Sequence, residues 1–217
     1  MYLLRLPLSW VYKLYLFQTS IIRRSDVKYR GGLTIHFKPG KARVAIPLLK
    51  DLLWNGEGTI RRRIGKETAL IAMYKDFETL EEMESSSQGN MKIADQLDPM
   101  IIDGSVTHHV WQHKLNDVHH SKVRRVFGMT FQNPLAFKEV ENAIEENMKF
   151  AQEKGKKITF WRKLFESPGG PKYIISHDFD SLDEYAEDTP LPELKNHHML
   201  IGSRVAHAEE SVWMKVD

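Results

Sequence analysis

Asp76-Phe77-Glu78-Thr79-Leu80-Glu81-Glu82 and Asp178-Phe179-Asp180-Ser181-Leu182-Asp183-Glu184 spell one pattern twice: Asp, Phe, an acid, a hydroxyl residue, Leu, an acid, Glu. Val110-Trp111 follows the first copy and Val212-Trp213 the second, at the same separation from the phenylalanine. Upstream, Gly32-Leu33-Thr34-Ile35 matches Gly128-Met129-Thr130-Phe131, and Thr59 to Ile64 matches Thr159 to Leu164. Four matched blocks in one order point to an internal duplication, since self-similarity at a fixed period marks repeated supersecondary units.

Each copy then reads as the same run of elements. In the first, Val27 to Phe37 is a strand ending at the turn Pro39-Gly40. Val44, Leu48, Leu49 and Leu52 suit one helix face, with Pro47 tolerable only in a first turn. Thr59 to Ile64 and Thr68 to Tyr74 flank Gly65-Lys66 as a hairpin. Phe77 to Leu97 is helical with a break over Ser85 to Asn90, and Val106 to Leu115 is a last strand. In the second copy, Val123 to Phe131 is a strand and Asn133-Pro134 a helix cap with proline at the first helical position. Phe137, Val140, Ile144, Met148 and Ala151 form one stripe, stopped by Gly155. Ile158 to Phe165 and Tyr173 to Ile175 form a hairpin over Ser167-Pro168-Gly169-Gly170-Pro171. Ser181 to Leu194 is a short helix broken by Pro190 and Pro192, and Arg204 to Val216 closes the sheet.

The order β-α-β-β-α-β is the ferredoxin-like pattern, with helices on one face of an antiparallel sheet. The fold class expected is therefore α+β: tandem duplicated ferredoxin-like βαββαβ repeats that cover each other's open faces as an intrachain α/β-barrel, plus an N-terminal extension. The boundaries are 1–26 for the extension, 27–116 for the first repeat and 117–217 for the second.

Composition narrows the functional classes. With 31 Lys+Arg against 29 Asp+Glu, the net charge of +2 gives no basic surplus for a nucleic-acid binder. The absence of cysteine excludes disulfides, thiolate metal sites and a cysteine nucleophile, and fits a reducing, cytoplasmic setting. The first 25 residues carry no acid and are rich in Leu, Tyr, Trp and Phe. Arg5, Pro7 and Lys13 make them a poor spanning helix. Three readings stay open for this segment: an element packed on the body, a contact with a membrane surface or a partner protein, or an organelle-targeting segment.

The arrangement resembles the dimeric α/β-barrel superfamily, which includes antibiotic-biosynthesis-monooxygenase-like proteins. The resemblance is carried by the hairpin leading into Asp178 to Tyr185, the helix after it and the strand with Val212-Trp213, with the counterpart Asp76 to Met83 and Val110-Trp111. It covers residues 27–217. It implies a small-molecule protein, a monooxygenase-like oxidoreductase acting on a hydrophobic substrate or on haem in a pocket between sheet and helices. The cofactor is then none or haem, and a homo-oligomer is among the partner states implied. Some haem-using members place a histidine near the end of the second helix of a repeat, which here falls on His197 and His198.

The chemistry-bearing residues fit this reading in the second repeat: His207, Trp161 and Arg162 as the catalytic set, and His197 or His198 toward a cofactor. Each has a plainer reading, as a sheet edge, a core tryptophan or a surface helix end with a favourable dipole contact. His109, Trp111 and His113 share one strand face, but strand residues four apart are about 13 Å apart, too far to share one metal. Arg61 and Arg63 share another face, and a solvated sheet edge or a salt-bridge partner for the acidic helices is the plain reading there, with carboxylate or phosphate binding as the alternative. Phosphate loops, nucleophile elbows and zinc helices have no match. The competing function is a non-catalytic scaffold or assembly subunit that docks through residues 1–25.

Overall fold

The structure, a computed structural model, describes residues 29–52, 54–65, 69–86, 89–165 and 170–216. The N-terminal extension, Lys66 of the Gly65-Lys66 turn and Ser167 to Gly169 of the second hairpin loop lie outside these residues.

The repeated heptapeptides are strand ends followed by helix starts. Phe77 closes strand β3 (Leu70–Phe77) and Phe179 closes β7 (Tyr173–Phe179), both 2% exposed. Thr79 Oγ1 accepts from the Glu82 N–H at 3.0 Å, and Glu82 Oε2 accepts from the Glu78 N–H at 3.0 Å. Ser181 Oγ accepts from the Glu184 N–H at 3.0 Å, and Glu184 Oε2 accepts from the Asp180 N–H at 2.6 Å. These are capping boxes widened by one residue: the hydroxyl satisfies an orphan N–H of the first turn, and the glutamate reaches back to the N–H just before the cap. They open helices α2 (Leu80–Ser86) and α5 (Leu182–Glu187).

The remaining strands are β1 (Tyr29–Phe37), β2 (Thr59–Ile64), β4 (Ile101–Leu115), β5 (Val123–Phe131), β6 (Lys157–Lys163) and β8 (Val205–Lys215). The other helices are α1 (Ala42–Lys50), α3 (Met91–Leu97), α4 (Pro134–Glu153) and α6 (Lys195–Gly202). The eight strands pair antiparallel into one closed barrel, ordered β1-β3-β2-β8-β5-β7-β6-β4. Thus β4-β1-β3-β2 and β8-β5-β7-β6 follow the same order, and the seams between them are β2–β8 and β4–β6. Closure removes the free sheet edges on which unwanted strand pairing would start.

Alternation along the strands sorts side chains into two environments. Leu33, Ile35, Phe37, Ile71, Phe77 and Val110 face outward onto Ala45 and Leu49 of α1, Met83 of α2 and Leu97 of α3. In the other half, Met129, Phe131, Ile158 and Phe160 pack with Val140, Ile144 and Met148 of α4 and Ile201 of α6. Each fully buried aliphatic of α4 is worth about 1.5–3 kcal/mol over an exposed one. Asn133 caps α4, its Oδ1 accepting from the Ala136 N–H at 2.9 Å. Gly155, at φ +79°, ends it: the Lys156 N–H donates to the Ala151 carbonyl across the turn.

The structure differs from the sequence reading in detail. Val44 is 57% exposed; Leu49 and Leu52 are buried as read, and Ala42 and Ala45 take the rest of the packed face. Pro47 lies past the first turn of α1, which holds through its packed face despite the missing N–H. β4 begins at Ile101, with a register shift against β1 between Ile35 and Phe37, so the strand runs on past a bulge. The prolines at 190 and 192 end α5 but do not end helical structure, because α6 starts after them. Among the described residues no helix is long and apolar enough to cross a membrane.

Candidate functional site

The inward strand faces are polar where a small barrel usually carries apolar filling. Arg30 stands across from Asp76 in the β1–β3 register and Arg124 across from Asp178 in the β5–β7 register. Arg30 holds Asp76 with two bonds of 2.7 and 3.0 Å, and Arg124 Nε lies 3.1 Å from each Asp178 oxygen. Across the β2–β8 seam, Arg61 also reaches Asp178 at 3.4 Å. Arg61 is 1% exposed and Asp178 1%. Burying such ions is tolerable only when they are paired and hydrogen-bonded. The remaining guanidinium donors end on the linker between the halves: Arg61 donates to the Ser121 and Lys122 carbonyls, and Arg124 to the His119 carbonyl.

Tyr74, on β3, sits at the centre of this cluster. Its hydroxyl accepts from Arg61 Nε at 2.7 Å and from Arg124 at 2.9 Å. The Arg30 guanidinium stacks between the Tyr74 and Trp161 rings, 4.2 Å from each centroid. Gly32 stands across from Tyr74 in the register, and a Cβ there would fall 2.9 Å from the Met73 carbonyl oxygen and 3.1 Å from Tyr74 Cβ. Only glycine allows that approach without a shift of the strand.

Beside the cluster the barrel holds a half-open cavity of about 420 Å³, within the range of small-molecule sites. Trp111, Trp213, Val126 and Ile174 give it apolar and aromatic walls, while Thr34, His109, Ser176 and Tyr74 add polar groups. Ser176 is fully buried and its Oγ has no hydrogen-bond partner among the described residues. His109 lies 3.0 Å through Nε2 from Thr34 Oγ1 and stacks on Trp111, and its buried Nδ1 has no partner among the described residues. Orphan buried polar atoms at a cavity wall mark places where a ligand or water completes the bonding.

The electrostatics follow from burial and neighbours. Burial, then Lys163 and His108, bring His109 down from 6.5 to about 4, so it is a neutral imidazole at neutral pH. Burial pushes the Asp76 carboxyl up, but the charge and hydrogen bonds of Arg30 outweigh it and leave it below the ordinary value. Burial also raises Tyr74, and the charges of Arg124, Arg30 and Arg61 outweigh it, so its hydroxyl is more acidic than an ordinary phenol.

The residues named from sequence are not brought together. Trp161 is fully buried in β6, against Arg30 and His113. Arg162, next in β6, and His207, on β8, are exposed. His197 is half-buried in α6, with Nδ1 3.3 Å from Asn147 Oδ1 and Nε2 3.5 Å from Glu146, and His198 is exposed. None of these five borders the cavity in the barrel. Arg61, read as a solvated sheet edge or a salt-bridge partner of the acidic helices, is interior and pairs with Asp178 at the end of β7, because closure of the barrel leaves that strand no edge.

Arg30, Arg124, Tyr74 and Ser176 were not singled out from sequence. A signal was present. Matching the first strands by their glycines sets them two residues out of the observed register. Alignment on Tyr29↔Phe77 and Val123↔Phe179 brings Arg30 opposite Arg124 in the comparison, each facing the aspartate of its own heptapeptide.

No protein-family model and no curated protein matches the sequence. Solved structures do share the fold. A candidate monooxygenase from Fusobacterium nucleatum subsp. nucleatum superposes with a TM-score of 0.67 at 10% identity, over 89% of this chain and 94% of that one. An anthrone oxidase-like protein gives 0.63 at 12%, over 88% and 92%. Chlorite dismutase from Candidatus Nitrospira defluvii gives 0.52 at 10%, over 88% and 91%. At such identities the likeness establishes the fold.

The resemblance read from sequence implied haem held by His197 or His198. Both ring nitrogens of His197 face polar groups of α4, and His198 is exposed. Neither lines the cavity inside the barrel, which is a different place from the space between sheet and helices that the resemblance implied.

Proposed function

We propose that this protein binds a flat, hydrophobic small molecule inside the barrel and oxidises it as a monooxygenase-like enzyme, with dioxygen as oxidant. The observation that carries the reading is the half-open cavity, with aromatic walls and two inward polar groups, Ser176 Oγ and His109 Nδ1, that have no partner among the described residues. Neutral His109 can accept or donate one hydrogen bond to a ligand, and Ser176 can do both. The anthrone oxidase-like and candidate monooxygenase structures support the same class through their shared fold. The pocket named from the resemblance lay between sheet and helices; this reading places the ligand between the two four-stranded halves instead.

The same reading takes the chain as two ferredoxin-like repeats, 27–116 and 117–217. The common strand order, the two capping boxes and the two Arg–Asp pairs support it. Arg61 then corresponds to Trp161 and Tyr74 to Ser176, since the Thr59↔Tyr74 pair matches Thr159↔Ser176. The halves would differ where a single asymmetric ligand needs them to differ.

Oxygen uptake with anthrone and with hydroxylated naphthalenes tests the function. Uptake that falls about tenfold in kcat/KM in Ser176→Ala, the loss of roughly one hydrogen bond, is expected. Absence of both uptake and binding across that panel would overturn the reading.

A further inference from the structure

We propose that Tyr74 is held as a phenolate in the cavity wall and is the proton acceptor for a ligand carrying an acidic hydroxyl, a phenol or an enol. The proposal rests on the reading of the barrel cavity as a ligand site, and it adds the chemical class of the ligand and the group that ionises it.

Among the described residues the Tyr74 oxygen has two partners, Arg61 at 2.7 Å and Arg124 at 2.9 Å. Guanidinium groups only donate, so both bonds end on the phenol oxygen and neither receives its proton. Charge gives a second, independent argument. Arg30, Arg61 and Arg124 bring three positive charges into the barrel, and Asp76 and Asp178 return two negative ones. A buried cluster left one charge short of neutrality is costly, and a Tyr74 phenolate supplies the missing charge. The downward displacement of the Tyr74 hydroxyl by Arg124, Arg30 and Arg61, against the effect of burial, agrees with this. Arg63 of β2 and Glu209 of β8 also line the cavity, and His120 lies 3.4 Å from Asp76.

The step itself is a proton transfer. The ligand O–H bond breaks and its electron pair stays on the ligand oxygen. The proton forms the Tyr74 O–H bond, and the negative charge passes from Tyr74 to the ligand, beside the same guanidiniums. An electron-rich phenolate or enolate is the form of such a molecule that gives up electrons most readily, so the transfer prepares the ligand for oxidation.

The test is nuclear magnetic resonance of the full chain, isotope-labelled at the tyrosine Cζ, with 4-nitrophenol as probe. At neutral pH without probe, one of the seven tyrosine signals should stand at the phenolate position and vanish in Tyr74→Phe. If that variant does not fold, the signal is assigned in the wild type by its Overhauser contacts with the Arg61 and Arg124 side chains. Seven signals at the phenol position would overturn the proposal. On adding 4-nitrophenol at a pH where the free probe is uncharged, the Tyr74 signal should move to the phenol position as the yellow nitrophenolate forms. A probe that shows contacts to Trp111 and His109 while the Tyr74 signal stays unmoved leaves the ligand site standing and refutes the acceptor role. A probe with no contact inside the barrel refutes both.

Discussion

At the scale of single residues, the interior is governed by partners that are few and fully committed. Asp178 is the sharpest case, with Arg124 and Arg61 both on one buried carboxylate. Arg124→Met leaves that charge underpaired and should cost about 3–5 kcal/mol in chemical denaturation. Adding Asp178→Asn to it should recover part of the loss, since an absent pair costs less than a broken one. His109 yields a prediction in pH. Its folded value of about 4 lies below 6.5, so the unfolded chain takes up a proton first as the solution is acidified. Stability is therefore intact above pH 6.5 and falls as pH drops toward 4; Asp76, already below the carboxylate range, contributes its own loss only at lower pH. His109→Gln should flatten the slope between 6.5 and 4 by roughly 1 kcal/mol per pH unit, read from denaturation midpoints across that window. The histidines were conspicuous in the sequence, and the shared face of His109, Trp111 and His113 was readable from alternation alone. Which histidine meets a cavity was not, because that depends on strands far apart in the chain closing around it.

At the scale of elements, local chemistry was legible and long-range cover was not. The heptapeptides set the two capping boxes, Asn133-Pro134 set the start of α4, and Gly155 set its end. Thr79→Ala and Ser181→Ala should each cost about 1 kcal/mol, and the double variant about their sum, since the two caps share no partner. Denaturation of the three variants beside the wild type measures this. A single variant costing nothing would mean that the hydroxyl does not hold the helix start. By contrast, α6 was not read as an element of its own, although His197 and His198 were placed near a helix end, because Pro190 and Pro192 signal a stop and nothing local announces a restart at Lys195. Val44 was placed on the buried face of α1 by its apolarity, but small Ala42 and Ala45 are what the neighbouring strands admit.

At the scale of the whole molecule, closure of eight strands creates what neither half has alone: a seam-to-seam interior with buried ions on one side and a cavity on the other. The α+β class and the order of elements along the chain could be reasoned from pattern and spacing. The polar interior could not, because Arg30, Arg61 and Arg124 look like surface arginines until two sheets face each other. Helices cover much of the outward face, although β8 stays largely exposed, and the inward face is left for chemistry. The central claim is that a small molecule sits inside the barrel. Intermolecular Overhauser contacts between 2-naphthol and the isotope-labelled full chain measure it directly. Contacts to Thr34, His109 and Ser176 are the predicted result. Contacts confined to the helix-covered face around Phe137, Tyr173 and His197 would contradict the account.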